Sequence, residues 1–419
     1  MGKPYVDVTR CRVCGSAELD TILSLGVQAL TGVFPRARGE AVTSGPVDLI
    51  KCVERPGGDS CGLVQLRQSY RKTEMYGSRY GYRSGLNASM VRHLRGKVAE
   101  ILARVPLRAG DLVVDIGSND GTLLSAYPDK GAILVGIDPT GEQFRRYYPP
   151  HVQQIPDFFS AELLRRRFPG KKAKIVTSIA MFYDLDAPLE FIAEVRDVLA
   201  DDGVWVLEQS YLPAMIEANA YDTVCHEHLE YYGMRQMKWM MGKSGLKVVA
   251  VERNDVNGGS FSLMVAKKEA PYPEAVGAVE ELTRGEASYG GPETYRAFAG
   301  AVVRHREELK AFLAKTRAEG RTVLGYGAST KGNVIMQYCG LSERDIPCIG
   351  EVNSEKFGAF TPGTLIAILP EAEVRARKPD YLLVLPWHFR DFIVEKESEY
   401  LRGGGRLVFP LPKLSVVSA

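Results

Sequence analysis

The segment DLVVDIGSNDG, Asp111 to Gly121, decides the reading of the fold. Its first half is an apolar, β-branched run of strand length, and its second half is a turn of Gly, Ser, Asn and Asp. TLLSAYP follows and reads as a helix, and AILVGIDPT is a second apolar run ending in Asp138. Strand, glycine-rich turn, helix and a strand ending in an acid make a βαβ half of the dinucleotide-binding kind. In such a unit the turn lets backbone approach a ligand, and the second acid accepts ribose hydroxyls. The turn itself reads Asp115-Ile116-Gly117-Ser118-Asn119-Asp120-Gly121, not G-x-G-x-x-G, which argues against a nicotinamide dinucleotide and its pyrophosphate. With Asp115 at the strand end and Asp120 in the turn, the loop suits a ligand bearing cationic groups. S-adenosylmethionine, with its sulfonium and ammonium, is such a ligand.

The flanking sequence continues the pattern. Apolar residues recur at helical spacing from Ser89 to Val105. VQQIPDFFS puts Asp157 and Phe158 where an adenine can be hydrogen-bonded and stacked. KAKIVTSIAMFYDL and DGVWVLEQSYL are further strands, the latter ending in Glu208, Gln209 and Tyr211. One acid alone would be an ordinary solvated loop residue. Acids at successive strand C-termini, where open α/β sheets bind ligands, point to a site. The expected fold is α/β, with a class I methyltransferase Rossmann-like sheet. Its expected cofactor-binding residues are Asp115, Gly117, Asn119, Asp120, Asp138, Asp157 and Phe158.

The chain has 419 residues, with 53 Lys plus Arg against 51 Asp plus Glu and a net charge of +2, so neither a nucleic-acid nor a membrane surface is indicated. The N-terminal residues lack the apolar run of a signal peptide, and no stretch approaches the ~20 apolar residues of a membrane span. A cytoplasmic enzyme, monomeric or homodimeric, is expected. Four of the seven Cys lie within the first 61 residues: Cys11 and Cys14 as C-x-x-C, then Cys52 and Cys61 around a Pro56-Gly57-Gly58 loop. In an intracellular chain such a cluster suggests metal before disulfides, and two pairs of thiolates can close a tetrahedral structural zinc site. Four Cys ligands would leave no open position for catalysis.

Two further stretches carry chemistry. In AYDTVCHEHLEYYG, residues 220–233, His226 and His228 flank Glu227, with Cys225 and three tyrosines nearby. H-E-H is not H-E-x-x-H, and on a helix the two imidazoles would point to different faces, so a zincin site is poorly supported. A paired carboxylate and imidazole can instead serve as a general base and its orienter. Beyond helices over residues 272–318, RTVLGYGASTKGNVIMQYCG repeats the strand, glycine turn and helix theme. There Gly325, Gly327 and Gly332 with Ser329, Thr330 and Lys331 either cradle phosphates or form a structural turn. His388, in DYLLVLPWH, either lines a cleft or caps a strand. A second α/β domain is expected, with the active site between the two.

Taken in order, CRVCG, CGLVQ, DIGSNDGTLL, CHEHLEYY, NGGSF and GYGASTKGNV resemble the sugar C-3-methyltransferases of deoxysugar pathways, from Cys11 to about Phe409. Members of that group make branched sugars for antibiotics and surface polysaccharides. The resemblance implies a zinc-binding domain at 1–72, a methyltransferase domain at 73–268, and at 269–419 a helical linker with a Rossmann-like domain. It implies S-adenosylmethionine and structural Zn2+ as cofactors, and a dTDP-type 4-keto-deoxysugar as substrate. The family's catalytic Glu-His pair falls on Glu227 and His228. Its tyrosine loop falls on YGSRYGYRS, with Tyr80 as the catalytic residue and Tyr76 and Tyr82 as rivals at the substrate. Cys225, His226, Ser329 and Lys331 complete the expected substrate contacts. Cys225 stands where the family carries an aromatic, so a hydroxyl donor is missing there. The competing expectations are O- or N-methylation of a sugar or small metabolite, and a non-catalytic zinc-ribbon adaptor that binds nucleotides.

Overall fold

A computed structural model describes residues 3–55, 59–76 and 82–419. The N-terminal strands are Tyr5–Asp7 (β1), Leu19–Ala29 (β2), Ser44–Cys52 (β3), Val64–Leu66 (β4) and Gln68–Tyr70 (β5). β1 and β5 form a two-stranded antiparallel pair, while β2, β3 and β4 form an antiparallel sheet. The fourth strand of that sheet comes from far along the chain. Glu230–Tyr231 (β11), just after the H-E-H stretch, pairs antiparallel with Gln65 and Val64 of β4.

The central sheet contains Leu112–Ile116 (β6), Ile133–Ile137 (β7), Val152–Ile155 (β8), Ala173–Ile179 (β9), Leu199–Ser210 (β10), Leu246–Asn254 (β12) and Ser260–Lys267 (β13). Its order is β12-β13-β10-β9-β6-β7-β8, parallel except at the β13 and β12 edge. Every residue of β6 is buried, as a central parallel strand covered on both faces requires. The chain runs outward from β6 through β7 to β8, then crosses back to lay β9 on the other side of β6. That reversal opens a crevice at the strand C-termini.

Helix Ala88–Arg104 covers one face, burying Met90, Leu94, Val98 and Ile101 at helical spacing, and its Asn87 cap accepts from the Ser89 amide. The TLLSAYP stretch departs from expectation. It makes a single 3-10 turn at Leu124–Ala126, and Pro128 stops the coil before a full helix can propagate.

The long helix Pro292–Ala318 leads to a six-stranded sheet of order β16-β15-β14-β17-β18-β19. Its strands are Val323–Tyr326 (β14), Cys348–Glu351 (β15), Ala367–Pro370 (β16), Tyr381–Val384 (β17), Arg406–Phe409 (β18) and Ser415–Val417 (β19), parallel except for β19. β14 is again the strand at which the order reverses, so a second crevice opens beyond its C-terminus. The expected α/β fold with two Rossmann-like sheets and an N-terminal cysteine cluster is present. Among the described residues, no helix is long and apolar enough to cross a membrane.

Candidate active site

A cavity of about 290 Å³ lies at the C-terminal ends of β6, β7 and β9, lined by Asp115, Gly117, Asn119, Asp138, Asp157, Phe158 and others. Gly117 turns there with φ 73°, and a Cβ would sit 3.0 Å from the Met181 side chain, so only glycine brings backbone this close. Asp115 is buried and accepts from the Thr177 hydroxyl at 2.6 Å. Burial, with Asp138 nearby as a second negative charge, pushes its carboxyl up to about 7 despite that bond. Asp138 accepts from the Asn119 and Thr140 amides at 2.8 and 2.7 Å. A cavity walled by these two carboxylates, with no cation bonded to either among the described residues, fits a cationic ligand. Glu208, also in the wall, is differently placed. Burial alone would raise its carboxyl, but His93 at 2.5 Å and the charges of His93 and Lys97 outweigh burial and hold it low. Asp157 and Phe158 form an exposed rim.

Asp120 corrects the sequence reading. Its carboxylate accepts from the Gly85 amide at 2.9 Å and the Thr122 hydroxyl at 2.5 Å, and it lies outside the cavity lining. Asn119, at φ 50°, likewise accepts from the Ser84 amide and donates to the Tyr82 carbonyl. The polar residues of the glycine loop therefore tie residues 82–86 down as a strap over the cavity. Tyr82 and Tyr76 both line the cavity, whereas Tyr80 lies outside the described residues. Sequence reasoning missed Asp184, which also lines the cavity and accepts from the Tyr76 hydroxyl at 2.8 Å. Its other oxygen is buried without a hydrogen-bond partner among the described residues, and burial drives its carboxyl well above the usual range. The sequence signal was its place just beyond β9, in FYDL.

The H-E-H stretch is a turn, not a helix, held between Tyr221–Thr223 and β11. His228 is the partly exposed member. Its Nδ1–H donates to the Thr223 carbonyl at 2.8 Å, which leaves Nε2 as the acceptor, and its ring meets Tyr183 edge-on at 4.4 Å. Burial, with the Lys331 charge adding to it, lowers its pKa to about 4, so it is neutral near pH 7. Glu227 does not orient this imidazole, contrary to expectation. It is buried, accepts from the Thr31 hydroxyl at 3.1 Å, and lies so close to Gly32 that a Cβ there would come within 2.8 Å of it. Burial raises its carboxyl. Cys225 and His226 are fully buried and outside the cavity wall, His226 packing edge-on against Tyr70 at 4.6 Å.

Cys11, Cys14, Cys52 and Cys61 converge with their sulfurs within 4.8 Å of one another, two pairs at 3.5 Å. Tetrahedral zinc with ~2.3 Å bonds to sulfur needs thiolates about 3.8 Å apart, and the four side chains fit it. The Pro56–Gly58 loop between the second pair lies outside the described residues.

On the C-terminal sheet, Ser329 caps helix Thr330–Tyr338 by accepting from the Gly332 amide at 3.0 Å. Lys331 donates to the Asn257 carbonyl at 2.8 Å, and Asn257 lines the cavity. Trp387 Nε1 donates to the buried Asp222 carboxylate at 2.7 Å, which seats neighbouring His388 against this cluster.

Family models cover the chain in three consecutive blocks: a zinc binding domain at residues 11–76, a methyltransferase domain at 90–251, and a C-methyltransferase C-terminal domain at 255–412. With the cation-ready cavity and the four-cysteine cluster, they make the chain an S-adenosylmethionine-dependent methyltransferase that also holds structural zinc. It belongs to the C-methyltransferase family of NovU from Streptomyces niveus, to which it is 32% identical over 423 residues, spanning 98% of this chain and 97% of NovU. A tRNA U34 carboxymethyltransferase of Aeromonas salmonicida is 26% identical over 169 residues, 36% of this chain and 46% of that protein. Among solved structures, the magnesium protoporphyrin IX methyltransferase of Synechocystis PCC 6803 is 14% identical with a TM-score of 0.32, covering 42% of this chain and 79% of that one.

Proposed function

We propose that this C-methyltransferase acts on a nucleotide-linked, dTDP-type 4-keto-deoxysugar and methylates the carbon next to the ketone, C-3, in the cytoplasm, as a monomer or homodimer. The observation that carries the reading is His228: a partly exposed, neutral imidazole whose tautomer is fixed by the Thr223 carbonyl, leaving Nε2 ready to accept a proton. A hydrogen next to a ketone is too weakly acidic for water to remove quickly, and a positioned base lowers that barrier. His228 takes the proton. Glu227 acts through the turn it pins to Thr31 rather than through the ring. Tyr76, Tyr82 and Tyr80 supply hydroxyls at the substrate, and Ser329 and Lys331 contact the sugar nucleotide. Cys225 and His226 then serve the packing beneath the turn.

Asp115, Gly117 and Asp138 receive the cofactor, with Asp157 and Phe158 at its adenine and Asn119 and Asp120 holding the strap. Bound there, S-adenosylmethionine supplies the electrophilic methyl group. The three units divide at 1–72, 73–268 and 269–419. Incubation with the cofactor and a panel of dTDP-4-keto-deoxysugars in deuterated water tests the reading. A product gaining one CH2 unit, with its new methyl bonded to the carbon that lost its hydrogen, is expected, together with deuterium at that carbon in substrate that has not been methylated. A methyl on oxygen or nitrogen, with no exchange, would reassign the reaction.

A further inference from the structure

We propose that Lys331, with His388 beside it, is a catalytic residue that holds the ketone oxygen of the substrate as it becomes an enolate, opposite the base His228. The proposal rests on the ketone substrate just argued and assigns an atom to a residue left there only as a contact.

Four segments distant in sequence meet at this point. The turn Val256–Gly258 belongs to the central sheet, and its Asn257, held at φ 56°, lines the cofactor cavity while accepting from Lys331 Nζ at 2.8 Å. A Cβ on Gly258 would lie 3.5 Å from the Trp387 ring and 3.9 Å from His388 Cβ, so the same turn touches the loop after β17. The 221–223 turn packs on helix Thr330–Tyr338. Its Asp222 accepts from Trp387 Nε1 at 2.7 Å, and its Thr223 carbonyl fixes His228. Lys331, His388 and His228 are thus carried on segments that meet beside the cofactor cavity, with Lys331 near enough for its charge to act on both imidazoles.

Their hydrogen-bonding capacity is unspent. An ammonium has three N–H donors, and among the described residues Lys331 uses one of them, on Asn257. Asp222, the carboxylate whose charge supports Lys331, makes no ion pair with it within 4.0 Å. His388 Nδ1 is buried with no hydrogen-bond partner among the described residues. Burial and the Lys331 charge keep both imidazoles neutral, so two neutral rings flank a single cation. A partly buried cation with free donors, near a neutral imidazole and a methyl-donor cavity, matches the charge an enolate develops. A diphosphate at this spot would put two negative charges beside the proton acceptor and hold the reacting carbon away from it.

The step balances. His228 Nε2 takes the proton, the C–H pair becomes the enolate C=C, and the carbonyl π pair moves to the oxygen under Lys331. The C=C pair then bonds to the methyl carbon, the sulfur–carbon bond breaks with its pair on sulfur, and the ketone re-forms.

The test is Lys331→Gln, with Lys331→Arg and His388→Gln as companions. It reads solvent-deuterium exchange next to the ketone, kcat and KM for the sugar, and cofactor Kd in the zinc-loaded protein. Loss of one preorganised donor at a developing oxyanion costs about 10²–10³-fold. Lys331→Gln should lose that much in exchange and kcat with KM and Kd nearly unchanged, and Lys331→Arg should recover part of it. A raised KM with unchanged kcat would assign Lys331 to the diphosphate and overturn the proposal, as would full exchange in Lys331→Gln. Should Lys331→Gln lose cofactor binding and so prove misfolded, His388→Gln decides: slowed exchange supports the pocket and wild-type exchange refutes it. If the wild-type protein neither exchanges nor methylates any keto-sugar, the substrate reading fails at the control, and this proposal falls with it.

Discussion

Replacing Asp115 with Asn makes an opposite pair of predictions for the empty and the loaded protein. Asp115 is buried, accepts one hydrogen bond from Thr177, and has Asp138 as its charged neighbour, which together lift its carboxyl from 3.8 to about 7. A raised carboxyl holds its proton more tightly folded than unfolded. Its contribution to stability is therefore full below about pH 4 and is lost as the pH rises through 7. At about 1.4 kcal/mol per pH unit, the displacement costs the empty protein about 4 kcal/mol by pH 8. Asn keeps an oxygen for the Thr177 hydroxyl and never ionises. Urea unfolding of cofactor-free protein from pH 5 to 8.5 should show Asp115→Asn gaining on the wild type as pH rises, by about 1 kcal/mol per unit up to pH 7 and levelling off above it. Cofactor affinity should fall, because the amide brings no negative charge to an ammonium. At pH 7, wild-type binding should release about half a proton as the incoming cation lowers the carboxyl, and the variant should release none from this position. Titration calorimetry in buffers of different ionisation enthalpy reads that release. A variant whose stability difference does not change with pH would mean that Asp115 is ionised against a cation the argument has missed, and the assignment would fall.

Three further outcomes follow from the geometry. Because burial and Lys331 lower His228 to about 4, its proton-accepting form persists well below the usual histidine range. Solvent-deuterium exchange into the sugar, measured without cofactor to avoid Asp115, should stay level from pH 7 to about 5, and a loss centred near 6.5 would remove His228 as the base. Stripping zinc with a chelator should abolish methyl transfer while leaving cofactor Kd within a few fold, since the metal supports the sheet that carries β11 and Thr31 but not the cavity of the central sheet. Full activity in protein shown by elemental analysis to be zinc-free would refute this. Trp387→Phe removes the side-chain donor that Asp222 Oδ2 has among the described residues and should cost about 1–3 kcal/mol in unfolding free energy, and an unchanged unfolding free energy would refute that contribution.

The parts of this molecule legible in sequence are those in which a segment's own residues decide its structure. β6, β7, β9 and β10 are apolar runs bounded by Gly, Asn and Asp, and the parallel sheet buries them on both faces. The C-x-x-C pair and its distant partners announce themselves by residue type, because little else would gather four thiols. What sequence could not supply was which acid faces the ligand. Asp115, Asp120, Asp138 and Glu208 look equivalent in a one-dimensional reading. Yet Asp120 is consumed by the Gly85 amide 35 residues away, and Glu208 by His93, 115 residues away. Asp184 was passed over for the converse reason: it looks like a loop acid, and only the fold leaves one of its oxygens buried and unbonded. The pairing of Glu227 with His228 was the natural inference from adjacency. But neighbours in a tight turn point apart, and the carboxylate found its partner 196 residues upstream in Thr31.

Thr31 explains why a methyltransferase sheet carries a zinc-bound head. Its hydroxyl donates to Glu227 in the turn that carries His228, and its carbonyl accepts from Asn333 Nδ2 at 2.7 Å on helix Thr330–Tyr338, which also carries Lys331. Two residues earlier, the amide of Ala29 donates to Gln337 Oε1 at 2.7 Å on the same helix. A short segment at the end of β2 is therefore bonded both to the turn that carries His228 and to the helix that carries Lys331. That segment sits in a small antiparallel sheet whose second strand ends in Cys52, so the metal that fixes Cys52 to Cys11, Cys14 and Cys61 also fixes the edge on which Thr31 is mounted. In the reaction proposed above, holding His228 and Lys331 to within a fraction of an ångström of each other demands rigid support. Two α/β sheets meeting across a cleft are free to shift against each other, and a cross-linked third body bonded to both removes that freedom. On this account the zinc contributes no chemistry of its own and is nonetheless required for turnover.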